Sequence, residues 1–255
     1  MRRACGIGFG IATHALFFFT LYRVFVFLLA DTVASPVGPL WYDAVLALNF
    51  AVPHSLVLHQ ATRRRLMKWI PAPFYGCFFC AVTCVTLLLL FAGWRSSETT
   101  IWRLTGWARL SVEGAYVGSW LLLFFSLCVS GLGYQTGFLP WWDWVRGRPA
   151  RKRDFKPRNI YRVLRHPVYL SFMATVWFNP VMTLDRLLLA LIWTAYIFVG
   201  SWLKDGRLEF YLGDTYRAYE EQVPGYPFLP FGPLARRRRQ IEPPLAALPR
   251  VKLSR

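Results

Sequence analysis

A chain of 255 residues that is 55% hydrophobic and 18% aromatic, yet carries a formal net charge of +17, does not have the composition of an ordinary soluble domain. The two properties reconcile when the apolar residues fill membrane-spanning helices and the basic ones gather in loops on one side of the bilayer. Nucleic-acid binding, the other reading of so basic a chain, is set aside because the basic residues border apolar stretches long enough to cross a bilayer.

Those stretches predict an all-α fold, a polytopic membrane helical bundle of about six spans at residues 6–30, 40–58, 74–94, 116–138, 168–184 and 187–203. The first is too long for a cleavable signal peptide, carries Arg23 and lacks a small-x-small site before Asp31. Arg23 is expected to snorkel or to face the bundle interior. The second span ends in Pro53-His54-Ser55, where Pro53 is expected to kink the helix. An ionisable group inside a membrane is costly, so His54 is a candidate to deprotonate or orient a thiol; the plainer reading is a histidine bonded to a neighbouring helix. In the third span Cys77, Cys80 and Cys84 form one stripe. No histidine or carboxylate lies nearby in sequence, so they read as core packing rather than metal ligands.

The Pro- and Arg-rich segment 140–157 reads as a linker whose Trp141, Trp142 and Trp144 belong at the membrane interface. It leads into Asn159-Ile160-Tyr161-Arg162-Val163-Leu164-Arg165-His166-Pro167-Val168-Tyr169. Pro167 suits the first turn of a helix, which places His166 near the N-cap of the fifth span, where free amides and the helix dipole favour an anionic group. Arg162 and Arg165 add charge, and Tyr161 and Tyr169 offer rings to a base or a sulfonium. The last two spans are expected to form a tight helical hairpin, broken at Phe178-Asn179-Pro180 and turning at Asp185-Arg186. Beyond it come Lys204-Asp205-Gly206-Arg207, then Tyr216 and Tyr219 on one helix face. Asp205 is suited to a structural ion pair or to ribose hydroxyls or an amine of a ligand. The two segments flank one hairpin and read as half-sites of one pocket. A ligand-free interface belt of Arg, His and Tyr fits the same residues.

Loop charges set an orientation. Arg2 and Arg3 precede the first span and Arg63, Arg64, Arg65 and Lys68 follow the second, while the loop between carries Asp31 and no Lys or Arg. Arg146, Arg148, Arg151, Lys152, Arg153, Lys156, Arg158, Arg162 and Arg165 follow the fourth span. Alternate loops are rich and poor in basic residues, which predicts both termini, and both half-sites, in the cytosol. Residues 1–234 read as one membrane domain and residues 235–255 as a basic tail drawn to anionic membrane lipid.

Arg165-His166-Pro167-Val168-Tyr169 before a hydrophobic hairpin, then a polar segment and Tyr216-Arg217-Ala218-Tyr219, resembles the integral-membrane methyltransferases. That group includes the isoprenylcysteine carboxyl and phospholipid N-methyltransferases. The resemblance is closer to the branch of methanethiol S-methyltransferases and NnrU-like proteins, over residues 41–55, 71–94 and 147–224. It implies S-adenosylmethionine as methyl donor, bound from the cytosol by Tyr161, Arg162, Arg165, His166, Pro167, Tyr169, Asp205, Tyr216 and Tyr219. It also implies a small thiol or other lipid-soluble acceptor entering from the bilayer, with His54 acting on it. A methyltransferase for a lipid-borne carboxylate or amine, and a non-catalytic NnrU-type membrane protein, are the alternatives. The chain departs from the pattern at four places, one being Pro53-His54-Ser55 and Leu58-His59 where the pattern has Gln-His-Ser and then Ala-Arg. Paired glutamates become Lys204-Asp205, a following Arg-Asp becomes Gly206-Arg207, and a Glu-Arg near the start of the third span becomes Tyr75-Gly76.

Overall fold

The protein is described by a computed structural model that places residues 3–30, 36–151 and 155–237. Arg2, Asp31, Lys152 and Arg153, on which the orientation partly rests, and the tail from residue 238 onward lie outside the described residues. In chain order the elements are α1 (Arg3–Leu29), α2 (Leu40–Leu58), α3 (Gln60–Leu66), α4 (Ala72–Gly93), strand β1 (Thr100–Arg103), α5 (Gly106–Ser130), α6 (Leu132–Gln135), α7 (Phe138–Val145), a 3-10 turn (Asn159–Arg162), α8 (Pro167–Trp177), β2 (Val181–Thr183), α9 (Leu184–Leu212) and α10 (Asp214–Gln222).

The architecture is a helical membrane bundle. Helices α1, α4, α5 and α9 are each long and apolar enough to cross a bilayer, and α2 reaches that length with α3 across a 73° bend. The bend falls at His59, whose extended backbone (φ −65°, ψ 136°) interrupts the helical ladder. Pro53 itself is accommodated inside α2. The core is aromatic, with Phe27, Phe50, Phe91, Trp94, Tyr116 and Trp193 packed together where α1, α2, α4, α5 and α9 meet. Outward faces carry Phe18, Leu121 and Phe124, all exposed, as a lipid-facing surface requires.

The expected fifth span is corrected. Helix α8 has 11 residues, roughly 16 Å at 1.5 Å per residue, about half of a bilayer core. It stops where Asn179 turns the chain: the Asn179 amide donates to Leu28 O at 2.9 Å and its Oδ1 accepts from Val181 N at 3.1 Å. Residues 181–183 then pair antiparallel with β1. The hairpin is therefore unequal, a half-length helix followed by a long one. Asp185 and Arg186, read above as its turn, are buried in the first turn of α9, where Asp185 accepts from Trp94 Nε1 at 2.9 Å and Ser97 N at 3.0 Å. Helix α9 runs 29 residues, roughly 44 Å against a hydrocarbon core of about 30 Å. Lys204, Asp205 and Glu209 thus sit on its projecting end rather than in a loop after it.

The tryptophan-rich segment is also corrected. Trp141 is a core residue: α7 folds back onto α1, and Trp141 Nε1 donates to Gly6 O at 3.0 Å. A Cβ at Gly10 would overlap the Trp141 ring. Gly137 (φ 78°) lies so close to Gly76 of α4 that a Cβ on either would strike the other's backbone. Two glycines thus let α7 dock against α4. Cys77 is buried with Phe74 and Trp141 in this second cluster.

Candidate active site

Asp205 is the hub of the projecting end of α9. Its Oδ2 accepts from Arg165 Nη2 and from His166 Nε2, both at 3.0 Å, and Oδ1 accepts from the Tyr216 hydroxyl. All four are buried, Arg165 to 2% exposure and His166 completely. The second guanidinium nitrogen of Arg165 donates to Val223 O at 2.8 Å and Ala235 O at 3.2 Å. The arginine thereby ties α8 and α9 to the segment after α10. Pro167 opens α8 and puts His166 at its N-cap, where the His166 ring is held by the Asp205 carboxylate. Burial pushes the His166 imidazole below its ordinary pKa, and the Asp205 carboxylate pulls the other way. Burial and the same carboxylate raise the Tyr216 phenol. Glu220, also buried, is raised by desolvation and drawn back down by Arg237, whose Nη1 lies 3.0 Å from its Oε2.

Two cavities meet at α9. The first, about 480 Å³, is polar: Arg165, Asp205, Glu209, Glu220, Arg236 and Arg237 line it with the loop at Pro230–Pro233. The second, about 810 Å³, is apolar over most of its wall and opens among α1, α2, α4, α5, α8 and α9. Both fall within the roughly 300–1,000 Å³ typical of small-molecule sites. Trp202 and Gly206 border both cavities. At Gly206 a Cβ would meet nothing within 4 Å.

His54 lies on the wall of the apolar cavity, and its Nδ1 is 2.7 Å from the Tyr196 hydroxyl. Ser55 Oγ is 3.0 Å from the same hydroxyl. The three form a polar cluster on a wall otherwise made of Phe50, Phe79, Phe172, Trp193 and similar residues. Tyr196 was not among the residues singled out for chemistry; the available signal was a hydroxylated ring inside an apolar run, where a buried phenol needs a partner.

The expected donor set divides. Arg165 and Asp205 border the polar pocket, and Tyr169 borders the apolar one, its ring carrying the Lys204 ammonium at 5.1 Å from the centroid. His166, Pro167 and Tyr216 are buried behind the pocket wall. Tyr161 and Tyr219 pack together, the Tyr219 hydroxyl donating to Tyr161 O at 2.5 Å, and Phe155 stacks edge-on to Tyr219. Arg162 is exposed, and neither it nor Tyr161 or Tyr219 lines either cavity. The two sequence segments are therefore brought together, through Arg165 and Asp205, with the tyrosines acting largely as scaffold.

A model of the family described as NnrU protein matches residues 44–233, most of the chain and both cavities' main walls. The chain belongs to the NnrU family. Among curated relatives of this NnrU chain, Methanethiol S-methyltransferase 1 of Bradyrhizobium diazoefficiens is 30% identical over 226 residues, 84% of this chain and 79% of the relative. Methanethiol S-methyltransferase of Mycobacterium tuberculosis is 29% identical over 241 residues, 88% of this chain and 96% of the relative. Nurim of Rattus norvegicus is 26% identical over 185 residues, 69% of this chain and 70% of the relative. No solved structure matches the chain. With its apolar helices and family, the protein is a multi-pass membrane protein.

Proposed function

We propose that this NnrU-family protein is a membrane-embedded methyltransferase that moves a methyl group from S-adenosylmethionine to a thiol, methanethiol being the acceptor in the names of its relatives. The observation that carries this reading is the pair of cavities sharing Gly206 and Trp202, one polar and one apolar with a His-Tyr-Ser cluster on its wall. In this reading the polar pocket faces the cytosol, with both termini on that side.

The residues present fit the donor. Glu209 suits an ammonium group or ribose hydroxyls and Arg236 suits a carboxylate, on a wall held by the Asp205–Arg165 and Glu220–Arg237 pairs. Arg165 Nε is buried and has no partner among the described residues. When bound, S-adenosylmethionine supplies an electrophilic methyl on a sulfonium. Its transfer is an in-line displacement that asks of the protein mainly positioning and exclusion of water. Gly206, which borders both cavities, puts no side chain between them. Tyr169, on the acceptor side, presents a ring face that favours positive charge.

His54 takes the thiol proton in the tautomer whose Nδ1–H donates to the Tyr196 oxygen; Nε2 then holds a free lone pair, and the Tyr196 hydroxyl donates to Ser55 Oγ. The Tyr196 hydroxyl holds the ring's orientation, and in this tautomer Ser55 Oγ is its acceptor. A thiol reaching the site from the bilayer arrives at a raised local concentration and already dehydrated. The test is direct: protein in lipid nanodiscs, given methyl-labelled S-adenosylmethionine and methanethiol, produces labelled dimethyl sulfide in the headspace. Absence of labelled product from well-folded protein would overturn the reading in favour of a non-catalytic role.

A further inference from the structure

The apolar cavity is far larger than methanethiol needs. Methanethiol has two heavy atoms, whereas cavities of about 300–1,000 Å³ are the size that buries a drug-sized ligand, and this one holds about 810 Å³. Its extent along the helices shows where the extra room lies. The His54 ring packs against Phe79 at 4.9 Å between centroids, and the cavity wall continues along α4 from Phe79 to Leu87. That is eight residues, roughly 12 Å along the helix at 1.5 Å per residue, away from the polar pocket. This deeper section is bounded by Val24, Leu87, Trp120, Leu123, Phe172 and Trp193, none of them charged. The charged wall residues Arg64 and Arg207 belong to α3 and the projecting end of α9, at the opposite end of the cavity.

We infer that the acceptor is a thiol carried on a long apolar chain, its sulfur at His54 and its tail in the slot running toward Leu87 and Trp120. This rests on the thiol-methylating reading above and specifies its substrate class. The chemistry is the same at any chain length. The thiol gives its proton to His54 Nε2, and its sulfur lone pair forms the new S–CH₃ bond. The old S–CH₃ bond breaks with its electron pair staying on the departing sulfur, so the sulfonium becomes a neutral thioether. A tail-bearing thiol already lies in the bilayer with its chain along the helices, so entry from lipid requires no reorientation through water. The polar ends of α3 and α9 keep the sulfur at the level of the donor while the tail points the other way.

The test compares decanethiol with methanethiol in nanodiscs, in wild type and in Thr83→Phe. Thr83 lies between Phe79 and Leu87 on the slot wall, and its hydroxyl bonds only back to Phe79 O within α4, at 2.9 Å. Its loss therefore strands no partner on another helix. Partition of each thiol into lipid is the same for both proteins, so the variant's change in the ratio of kcat/KM values reports the slot alone. Wild type is expected to favour decanethiol. Thr83→Phe is expected to lower the decanethiol-to-methanethiol ratio at least about tenfold, the least that one methylene of misfit costs in a hydrophobic pocket. Thr83→Ala, which widens the same point, is expected to keep the ratio at or above the wild-type value. Residual methanethiol turnover by Thr83→Phe shows that the variant folds. Should it show none, the larger ratio in Thr83→Ala than in Thr83→Leu carries the same information. Methanethiol methylated with no preference for decanethiol, or a ratio unmoved by the variants, overturns the inference and leaves the thiol reading standing. No thiol methylated at all overturns both.

Discussion

Removing the Asp205 carboxylate is expected to cost far more in stability than in any single ligand contact. Asp205→Ala leaves the Arg165 guanidinium, 2% exposed, without its carboxylate at 3.0 Å; the Glu220 carboxylate, at 4.0 Å, replaces it only weakly. His166 Nε2 and the Tyr216 hydroxyl lose their acceptor as well. Breaking a buried ion pair from one side costs about 3–5 kcal/mol. At about 2–4 °C per kcal/mol for a chain of this size, the apparent Tm falls by roughly 10 °C. The assay is thermal unfolding in detergent at one scan rate, followed by intrinsic fluorescence. Arg165→Met combined with Asp205→Leu removes both charges together and is expected to recover at least half of the loss, because an apolar pair of similar volume substitutes well for a buried ion pair. A drop below about 3 °C for Asp205→Ala would refute the hub. One consequence is practical. Asp205→Ala is a poor probe of donor binding, and Glu209→Gln, on the open wall of the same pocket, is the better one.

Other outcomes follow from the same geometry. His54→Gln is expected to lower kcat by about 10²–10⁴-fold, the range for loss of a general base, with the deficit shrinking at alkaline pH as the thiol ionises unaided; a deficit independent of pH would contradict the base role. Tyr196→Phe, which removes the partner of His54 Nδ1, gives a smaller loss and shifts the pH profile of kcat. Gly206→Leu gains helix propensity by up to about 1 kcal/mol and its Cβ meets no neighbour within 4 Å, so Tm holds while turnover collapses; retained turnover would mean the methyl does not cross there. Lys204→Met frees the Tyr169 ring from its present cation and is expected to tighten donor binding about two- to fivefold, as loss of a competing cation–π contact of about 0.5–1 kcal/mol predicts; weaker binding would assign Lys204 to the donor instead.

The long helices were legible because an uninterrupted apolar run has one stable form in a bilayer. Where the run continued but the structure changed, composition was blind. Val181-Met182-Thr183 is as apolar as the helix before it, and only the Asn179 side chain, bonded to Leu28 O on α1, reveals why the chain leaves the helix there. The tryptophans of α7 have the same composition whether they float at the interface or pack inward. The available clue was the Gly6-to-Gly10 spacing on α1, a small-residue stripe that lets another element approach. At the site, the sequence put Arg165, His166 and Asp205 together and left Asp205 between a structural ion pair and a ligand contact. Charge patterns show which groups need partners, and only the fold shows that these satisfy one another. Tyr161, Arg162, Tyr216 and Tyr219 were grouped with them on charge, ring chemistry and the resemblance; Tyr216 bonds Asp205 and Tyr219 bonds Tyr161 O, and none of the four lines either cavity.

The central claim is that the polar pocket beside Asp205 holds the methyl donor, and calorimetric titration of S-adenosylmethionine into nanodisc-embedded protein tests it most directly. Saturable binding, weakened in Glu209→Gln at unchanged Tm, is the result the account predicts. No heat of binding at millimolar donor, from wild-type protein that still melts cooperatively, would contradict it.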